Sequence, residues 1–336
     1  MEELLKKVSE LIDKSNNIPN NIKPIVKAIC KGYIRESNGK ISLEGINNIC
    51  NTTFIKIEEN DQKFRGKKNI FGDAGSEYDK DCNVISTIQY LNNSNYIMLI
   101  STLTHEIGHI LTNAKPLKVT ENGIYPLIKR TITIHSRCEY KNNGDLLAAK
   151  SFGNKMTEGY IESMCTKIFD SQEFRKELYQ IGYDLKDYKH KDERLFPSRI
   201  YDEYKACFEL FDYIMDGSLS NFACTQFKSN QEILDYINKN RIITFYNYLD
   251  KSNELLWDLK DYEEKEYDEQ FDELLNQYLK AKNTSLNLAK KCIEIYGKSS
   301  DDKELQKLYD EYAKTLSKQK LLPLPNEYLN KKQYKK

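Results

Sequence analysis

Residues 96–113 have the sequence YIMLISTLTHEIGHILTN, and this stretch decides most of what can be predicted about the fold. Its large apolar side chains recur every three or four residues, at Leu99, Leu103, Ile107 and then Ile110 or Leu111. Because an α-helix has about 3.6 residues per turn, this spacing places the side chains in one stripe. We therefore predict one helix over 96–113 whose apolar face is buried.

The same stretch contains the motif HEIGH, in which His105 and His109 flank Glu106. Residues four apart lie one turn apart on the same face of a helix, so the two imidazoles can bind one metal ion. Glu106 follows the first imidazole and lies beside the ion, where its carboxylate can take a proton from a bound water. The motif therefore predicts a metal site with Glu106 as general base.

The alternative interpretation is an ordinary solvated helix that carries two histidines. The chain has 4 histidines in all, and half of them lie in this motif. The apolar stripe also lies on the other side of the turn from His105 and His109. We favour the metal site and expect one catalytic Zn²⁺, because imidazole and carboxylate ligands suit a four-coordinate zinc with one open position.

A catalytic zinc needs a third protein ligand. Thr112 and Lys115 stand where the HExxHxxGxxH motif would have its glycine and third histidine, which disfavours that arrangement. A second predicted helix, beginning near Lys155, carries Glu158 and Glu162 four residues apart. The first can be the ligand, and the second can accept a hydrogen bond from a liganding imidazole. Two alternatives stay open: the pair is an ordinary exposed pair, or Glu162 is the ligand.

The HEIGH motif followed by EGYIE, which begins at Glu158, resembles the gluzincin clan of zinc metallopeptidases, especially its compact bacterial members. The resemblance implies a zincin-like core with His105, His109 and Glu158 as zinc ligands. It implies Glu106 as the general base and Glu162 as support for a liganding imidazole. These two motifs carry the resemblance, and the sequence outside roughly 80–210 contributes nothing to it.

Other side chains are candidates for stabilising a reaction intermediate. His135 lies in an alternating segment, where a lone histidine is more often structural. Tyr201 and Tyr204 offer phenol donors, but the chain has 24 tyrosines and nothing in the sequence selects among them. His190 lies in the polar sequence YKHKDER and is expected at the surface. Segment 79–85 resembles the turn into a substrate-binding edge strand, with a plain hairpin as the alternative.

The remaining patterns predict an α+β fold that is predominantly helical. Helical spacing covers 2–14, 21–36 and the stretch from Lys155, whereas strand-like alternation covers 52–58, 84–90 and 127–138. From about 171 to 330, long amphipathic stretches with few breakers predict helices only. We therefore expect a zincin-like catalytic domain with a small mixed sheet over 1–170. An all-helical domain with a disordered basic tail is expected over 171–336.

Composition limits the classes of partner. The 336 residues include 51 basic and 51 acidic side chains, so no net charge attracts nucleic acid or an anionic membrane. No apolar stretch has the length and continuity of a signal peptide or a membrane helix. The 8 cysteines include no CxxC pair and favour free thiols in a reducing compartment. We expect a cytoplasmic protein that binds neither nucleic acid nor membrane; the pattern does not test non-classical export.

The sequence thus predicts a zinc-dependent metallopeptidase that hydrolyses peptide bonds of a peptide or protein substrate through a metal-activated water, with Glu106 as general base. The alternative is a catalytically weak or inactive metallopeptidase-like regulatory protein whose helical C-terminal region binds a partner protein. Hydrolysis of a non-peptide amide would use the same residues. The substrate itself is not predicted, because specificity pockets are assembled from loops that one sequence does not place.

Overall fold

The computed structural model describes residues 1–41, 43–58, 72–78, 84–91, 96–112, 124–140, 146–185, 199–240, 242 and 271–318. Over these residues the chain forms eleven helices and two three-stranded sheets. The prediction of a predominantly helical α+β fold with a small mixed sheet is confirmed. Every helix in the described ranges is too short or too polar to cross a lipid bilayer.

The helices are α1 Glu2–Lys14, α2 Lys23–Glu36, α3 Leu43–Asn51, α4 Tyr96–Leu111, α5 Asn154–Asp170, α6 Gln172–Gln180, α7 Arg199–Ile214, α8 Ser218–Cys224, α9 Asn230–Lys239, α10 Phe271–Ile295 and α11 Lys303–Lys318. The strands are β1 Thr53–Glu58, β2 Gly72–Tyr78, β3 Val84–Leu91, β4 Ile124–Arg130, β5 Thr133–Tyr140 and β6 Leu146–Phe152. The predicted helices over 2–14, 21–36 and 96–113 and from Lys155 are confirmed, as are the strands over 52–58 and 84–90, with small differences at their ends.

The first sheet is mixed and packs against the helix that carries the HEIGH motif. Its strand order is β1-β3-β2, with β1 parallel to β3 and β2 antiparallel to it. Helix α4 contacts β2 and β3. Among the described strands β3 is therefore central, so the expectation that 79–85 leads into an edge strand is wrong; residues 79–83 lie outside the described ranges. Alternation identifies a strand but not its neighbours.

The second sheet is antiparallel, and its first hairpin overturns the prediction of one strand over 127–138. Arg130 pairs with Thr133, so the chain reverses at Thr131 and Ile132. Thr131 has a φ of 54°, a conformation that turns usually give to glycine or asparagine. Ile132 is fully buried. The apolar alternation therefore continues through a turn that has none of the usual turn residues.

Two glycines let the helices that carry the predicted ligands pack closely on their neighbours. A Cβ atom at Gly108 would lie 2.1 Å from the phenol oxygen of Tyr33. That hydroxyl donates a hydrogen bond of 2.9 Å to the backbone oxygen of Thr104. A Cβ atom at Gly159 would lie 2.2 Å from the backbone oxygen of Tyr204. Since glycine inside a helix costs about 1 kcal/mol relative to alanine, both positions give up helix propensity for close packing.

Helix α5 lies at the centre of the helical packing, in contact with α2, α4, α6 and α7. Its side chains Tyr160, Ile161 and Phe169 are buried in a core that includes residues from both sides of position 170. The division into 1–170 and 171–336 stays a prediction. The predicted disordered basic tail lies outside the described residues.

A lysine is also buried in this core. Lys129 of β4 is 1% exposed, and its Nζ donates to the backbone oxygens of Ala223 at 3.0 Å and Thr112 at 3.5 Å. The rings of Phe222 and Phe227 have their centroids 5.3 and 5.9 Å from Nζ. Burial lowers the pKa of Lys129 from 10.5 to about 7. The folded protein therefore releases this proton at a lower pH than the unfolded chain does.

Replacing Lys129 by methionine should remove one component of the pH dependence of folding. Between about pH 7 and 10.5 the unfolded chain carries a proton that folded Lys129 lacks. This group therefore makes stability rise with pH, by about 1.4 kcal/mol per unit. Lys129→Met lacks this contribution. Its free energy of unfolding minus that of the unmodified protein should therefore fall by about 1.4 kcal/mol for each pH unit between about pH 7 and 10.5.

Urea unfolding in reducing buffer at several pH values measures this difference. The exposed lysine of α10 supplies the control, Lys280→Met, which should show no such slope. A stability difference between Lys129→Met and the unmodified protein that stays constant with pH would contradict the assignment.

Candidate metal centre

Helix α4 brings two imidazoles together at the surface of the core. The Nε2 atoms of His105 and His109 lie 3.2 Å apart, and the two rings meet edge to face. The side chains are 15% and 19% exposed, respectively. On the buried side of the helix, Leu103 and Ile107 are inaccessible to solvent. The amphipathic pattern thus anchors α4 and leaves the two imidazoles at a partly open face.

Helix α5 adds a carboxylate to this pair. Glu158 Oε2 lies 3.1 Å from His105 Nε2, and Glu158 Oε1 lies 3.6 Å from His109 Nε2. One nitrogen from each imidazole and one carboxylate oxygen form a group in which all atoms lie within 4.8 Å of one another. The structure therefore brings together the three side chains predicted as metal ligands.

The spacing of these atoms fits a tetrahedral zinc site. Zinc binds imidazole nitrogen and carboxylate oxygen at about 2.0–2.2 Å, so ligand atoms in a tetrahedron lie about 3.3 Å apart. The separations of 3.1 Å between His105 Nε2 and Glu158 Oε2 and of 3.2 Å between the two Nε2 atoms lie near that value, and the other oxygen of Glu158 lies 3.6 Å from His109 Nε2. Three protein ligands would leave a fourth position for water, as catalytic zinc sites do. Zinc itself remains a prediction.

The electrostatics of the cluster also favour a cation. Burial lowers the pKa of His105, but hydrogen bonds with Cys165, Glu158 and Glu162 outweigh burial and raise it well above its ordinary value. Burial raises the pKa of Glu158, but the charges of His109 and His105 and their hydrogen bonds hold it well below its usual range. The nearby carboxylates therefore stabilise positive charge on His105, and the two imidazoles keep Glu158 ionised.

Glu106, the predicted general base, lies on α4 beside strand β2. Its side chain is buried, and the residue is 8% exposed. A Cβ atom at Gly72, the first residue of β2, would lie 3.3 Å from Glu106 Cγ and 2.4 Å from Thr102 Cγ2. Glu106 also contributes to the raised pKa of His105 through its charge. Glycine at position 72 therefore makes the room in which the Glu106 side chain packs against the sheet.

A second group of polar side chains lies behind His105. Glu162 is 3% exposed, and its Oε2 lies 3.7 Å from Nδ1 of His105. Cys165 belongs to the same group, since its Sγ, a Glu162 oxygen and a His105 ring nitrogen lie within 4.8 Å of one another. Glu158 contacts both imidazoles, whereas no described contact joins Glu162 to His109. Glu158 is therefore the better placed of the two glutamates to share an ion with both imidazoles, and the roles of Glu158 as ligand and Glu162 as support stay predictions.

Cys165 is a member of this group that was not predicted from the sequence. Cys165 follows Glu162 by three residues and Glu158 by seven, so the helical spacing places it on the same face of α5. That spacing was the available signal. A single buried cysteine is more often a small apolar core residue, which is why the spacing alone did not select it.

The turn between β4 and β5 connects the two ligand-bearing helices. Thr157, the residue before Glu158, accepts hydrogen bonds at its Oγ1 from the backbone N–H groups of Ile132 at 3.2 Å and Thr133 at 3.0 Å. On the other side, Oγ1 of Thr131 lies 2.8 Å from Oγ1 of Thr112, which follows the last residue of α4. The hairpin turn thus fixes the start of α5 relative to the end of α4.

The structure does not select among the side chains predicted as candidates for stabilising a reaction intermediate. His135 lies on β5 opposite Ile128 and Ser151, but its side chain is outside the described part of the structure. The same holds for the side chain of Tyr201 on α7. Tyr204 is buried, at 7% exposure, and its backbone packs against Gly159, the neighbour of Glu158. His190 lies outside the described residues. The choice of an intermediate-stabilising residue therefore stays open.

No protein-family model, curated protein or solved structure matches this chain. The resemblance to the gluzincin clan stays a prediction that rests on the HEIGH and EGYIE motifs. Functional inference for this chain therefore rests on the geometry of the residues themselves.

The geometry predicts different losses of zinc affinity for the two glutamates of α5. Glu158→Ala removes a ligand and should lower the zinc affinity by at least 100-fold. Glu162→Ala removes only support for His105 and should lower it by about 10- to 100-fold while full loading stays attainable. Competition with a chromophoric chelator gives the affinities, and elemental analysis gives the stoichiometry.

Glu173→Ala on α6 is the matched control, because Glu173 is an exposed glutamate whose nearest polar partner is Ser171. It should bind zinc like the unmodified protein. A full zinc complement in Glu158→Ala, together with a loss in Glu162→Ala, would move the third ligand to Glu162.

Proposed function

We propose that this chain is a zinc-dependent metallopeptidase of the gluzincin type with a zincin-like core. The observation that carries the proposal is the convergence of His105, His109 and Glu158, whose ligand atoms lie within 4.8 Å of one another, near the buried carboxylate of Glu106. The order of these residues along α4 and α5 and the mixed sheet packed on α4 also support it. Each residue type has the chemistry that hydrolysis of a peptide bond needs.

In the proposed mechanism, His105, His109 and Glu158 hold the ion. When bound, Zn²⁺ polarises the scissile carbonyl and lowers the pKa of a water molecule to about 7. The Glu106 carboxylate accepts a proton from the attacking water and then donates it to the leaving amine nitrogen. The low exposure of Glu106 strengthens this proton transfer, because few solvent molecules compete for the carboxylate.

A peptide rather than a small amide is the proposed substrate because of the position of β2. This strand pairs with β3 on one side and, in the described residues, with no strand on the other. Its first residue, Gly72, lies beside Glu106. An extended peptide that added to this edge by main-chain hydrogen bonds would pass next to the general base.

The alternative is a regulatory protein that retains the metal site without useful catalysis. The helical region after residue 171 would then bind a partner protein. A cytoplasmic location and the lack of nucleic-acid and membrane partners likewise stay predictions. Chelator-sensitive cleavage of a broad peptide library by the zinc-loaded protein discriminates the two functions. Bound zinc without cleavage of any peptide would favour the regulatory protein.

Glu106→Gln should separate catalysis from metal binding. The amide keeps the size of the side chain but cannot accept the proton, so kcat/KM should fall by about 100- to 10,000-fold. Zinc content should stay equal to that of the unmodified protein, since Glu106 is not proposed as a ligand. Glu173→Gln, on the exposed surface of α6, should keep full activity.

Cleavage of a selected library peptide measures the rates, and elemental analysis of the same samples verifies the zinc content. An unchanged rate in zinc-loaded Glu106→Gln would exclude Glu106 as the general base. Loss of zinc in this variant would instead contradict its placement outside the ligand set.

A further inference from the structure

A chain of buried polar groups runs behind His105 and connects three helices. The Tyr33 hydroxyl on α2 donates to the backbone oxygen of Thr104 at 2.9 Å. The same hydroxyl lies 3.6 Å from Sγ of Cys165 on α5. Cys165 in turn shares hydrogen bonding with the imidazole of His105. This series of polar groups therefore connects Tyr33 on α2, through Cys165 on α5, to His105 on α4.

The two nitrogens of His105 face different surroundings. Nε2 faces His109 and Glu158, at 3.2 Å and 3.1 Å. Nδ1 faces Glu162 at 3.7 Å. The orientation and tautomer of a liganding imidazole are set by what its second nitrogen bonds. Glu162 and Cys165 are therefore the side chains able to decide whether Nε2 presents its lone pair to an ion.

Burial makes this control effective. Cys165 is 1% exposed, Glu162 is 3% exposed and Tyr33 is inaccessible to solvent. Water therefore cannot replace a hydrogen bond that one of these groups loses. Gly108 completes the arrangement, because any larger residue there would meet the Tyr33 oxygen.

We propose that Cys165 is a positioning residue for His105, held in place by Tyr33, and that it does not itself bind the catalytic ion. The inference rests on the proposed zinc site. Glu162 accepts the Nδ1 proton, and the Cys165 thiol packs beside the ring and limits its rotation. His105 thereby enters the site with Nε2 already directed at His109 and Glu158.

The first test compares zinc affinities of variants by competition with a chromophoric chelator. Cys165→Ala should bind zinc about 10-fold or more weakly, the range typical of groups that orient a ligand. Cys165→Ser, which keeps a small hydrogen-bonding side chain, should recover most of the loss. Cys30→Ala is the matched control. Cys30 is also a buried thiol, but it lies on α2 and the group that affects its charge is Cys50, not His105. It should bind zinc normally.

The second test uses Co²⁺ in the unmodified protein and needs no variant to fold. A thiolate ligand gives cobalt an intense near-ultraviolet charge-transfer band, which imidazole and carboxylate ligands do not give. The proposal predicts that this band is absent. A band that is present in the unmodified protein and lost in Cys165→Ser would show that Cys165 is a ligand and overturn the proposal.

The outcomes separate this inference from the function on which it rests. Tight zinc binding by the unmodified protein with equal affinity in Cys165→Ala overturns the positioning role alone. Failure of the unmodified protein to bind zinc overturns both the positioning role and the metallopeptidase. Weakened binding in Cys165→Ala, recovery in Cys165→Ser and a cobalt spectrum without the thiolate band together support the proposal.

Discussion

The packing of α4 against α5 determines where the imidazoles of His105 and His109 meet the carboxylate of Glu158. Two histidines four residues apart lie on the same face of any helix, but the carboxylate of Glu158 comes from a different helix. A displacement of α5 by about 1 Å would be enough to spoil a zinc site, whose bond lengths vary by only a few tenths of an ångström. Close contact at Gly159 and the hydrogen bonds of Thr157 hold α5 in the required position.

Because the site depends on how α5 packs on α4, only part of it could be predicted from the sequence. The spacing of His105, Glu106 and His109 is encoded within five consecutive residues, so helical geometry alone places them. Helical spacing offered Glu158 and Glu162 as candidates for the third ligand, and the resemblance of EGYIE to a known motif favoured Glu158, because periodicity does not tell which helix packs on which. Helices and strands with clear periodicity were likewise predicted well, although their ends shifted by a few residues.

What the sequence did not reveal depends on tertiary contacts. The turn at Thr131 and Ile132 was missed because Thr157, which accepts hydrogen bonds from the backbone of Ile132 and Thr133, lies far along the chain. These contacts take the place of the usual turn residues. The central position of β3 was missed for a related reason, since strand order is a property of the assembled sheet. Cys165 acquires its role only from the imidazole that packs beside it. Each of these features depends on contacts between parts of the protein that are distant in the sequence.

X-ray absorption at the zinc K-edge of the purified, zinc-loaded protein reports the proposed coordination of the ion itself. A zinc ion bound by His105, His109, Glu158 and a water should show about four nitrogen or oxygen ligands near 2.0–2.2 Å, with the multiple scattering of two imidazoles and one zinc per chain. A sulfur shell near 2.3 Å, scattering from fewer than two imidazoles, or no tightly bound zinc would contradict it.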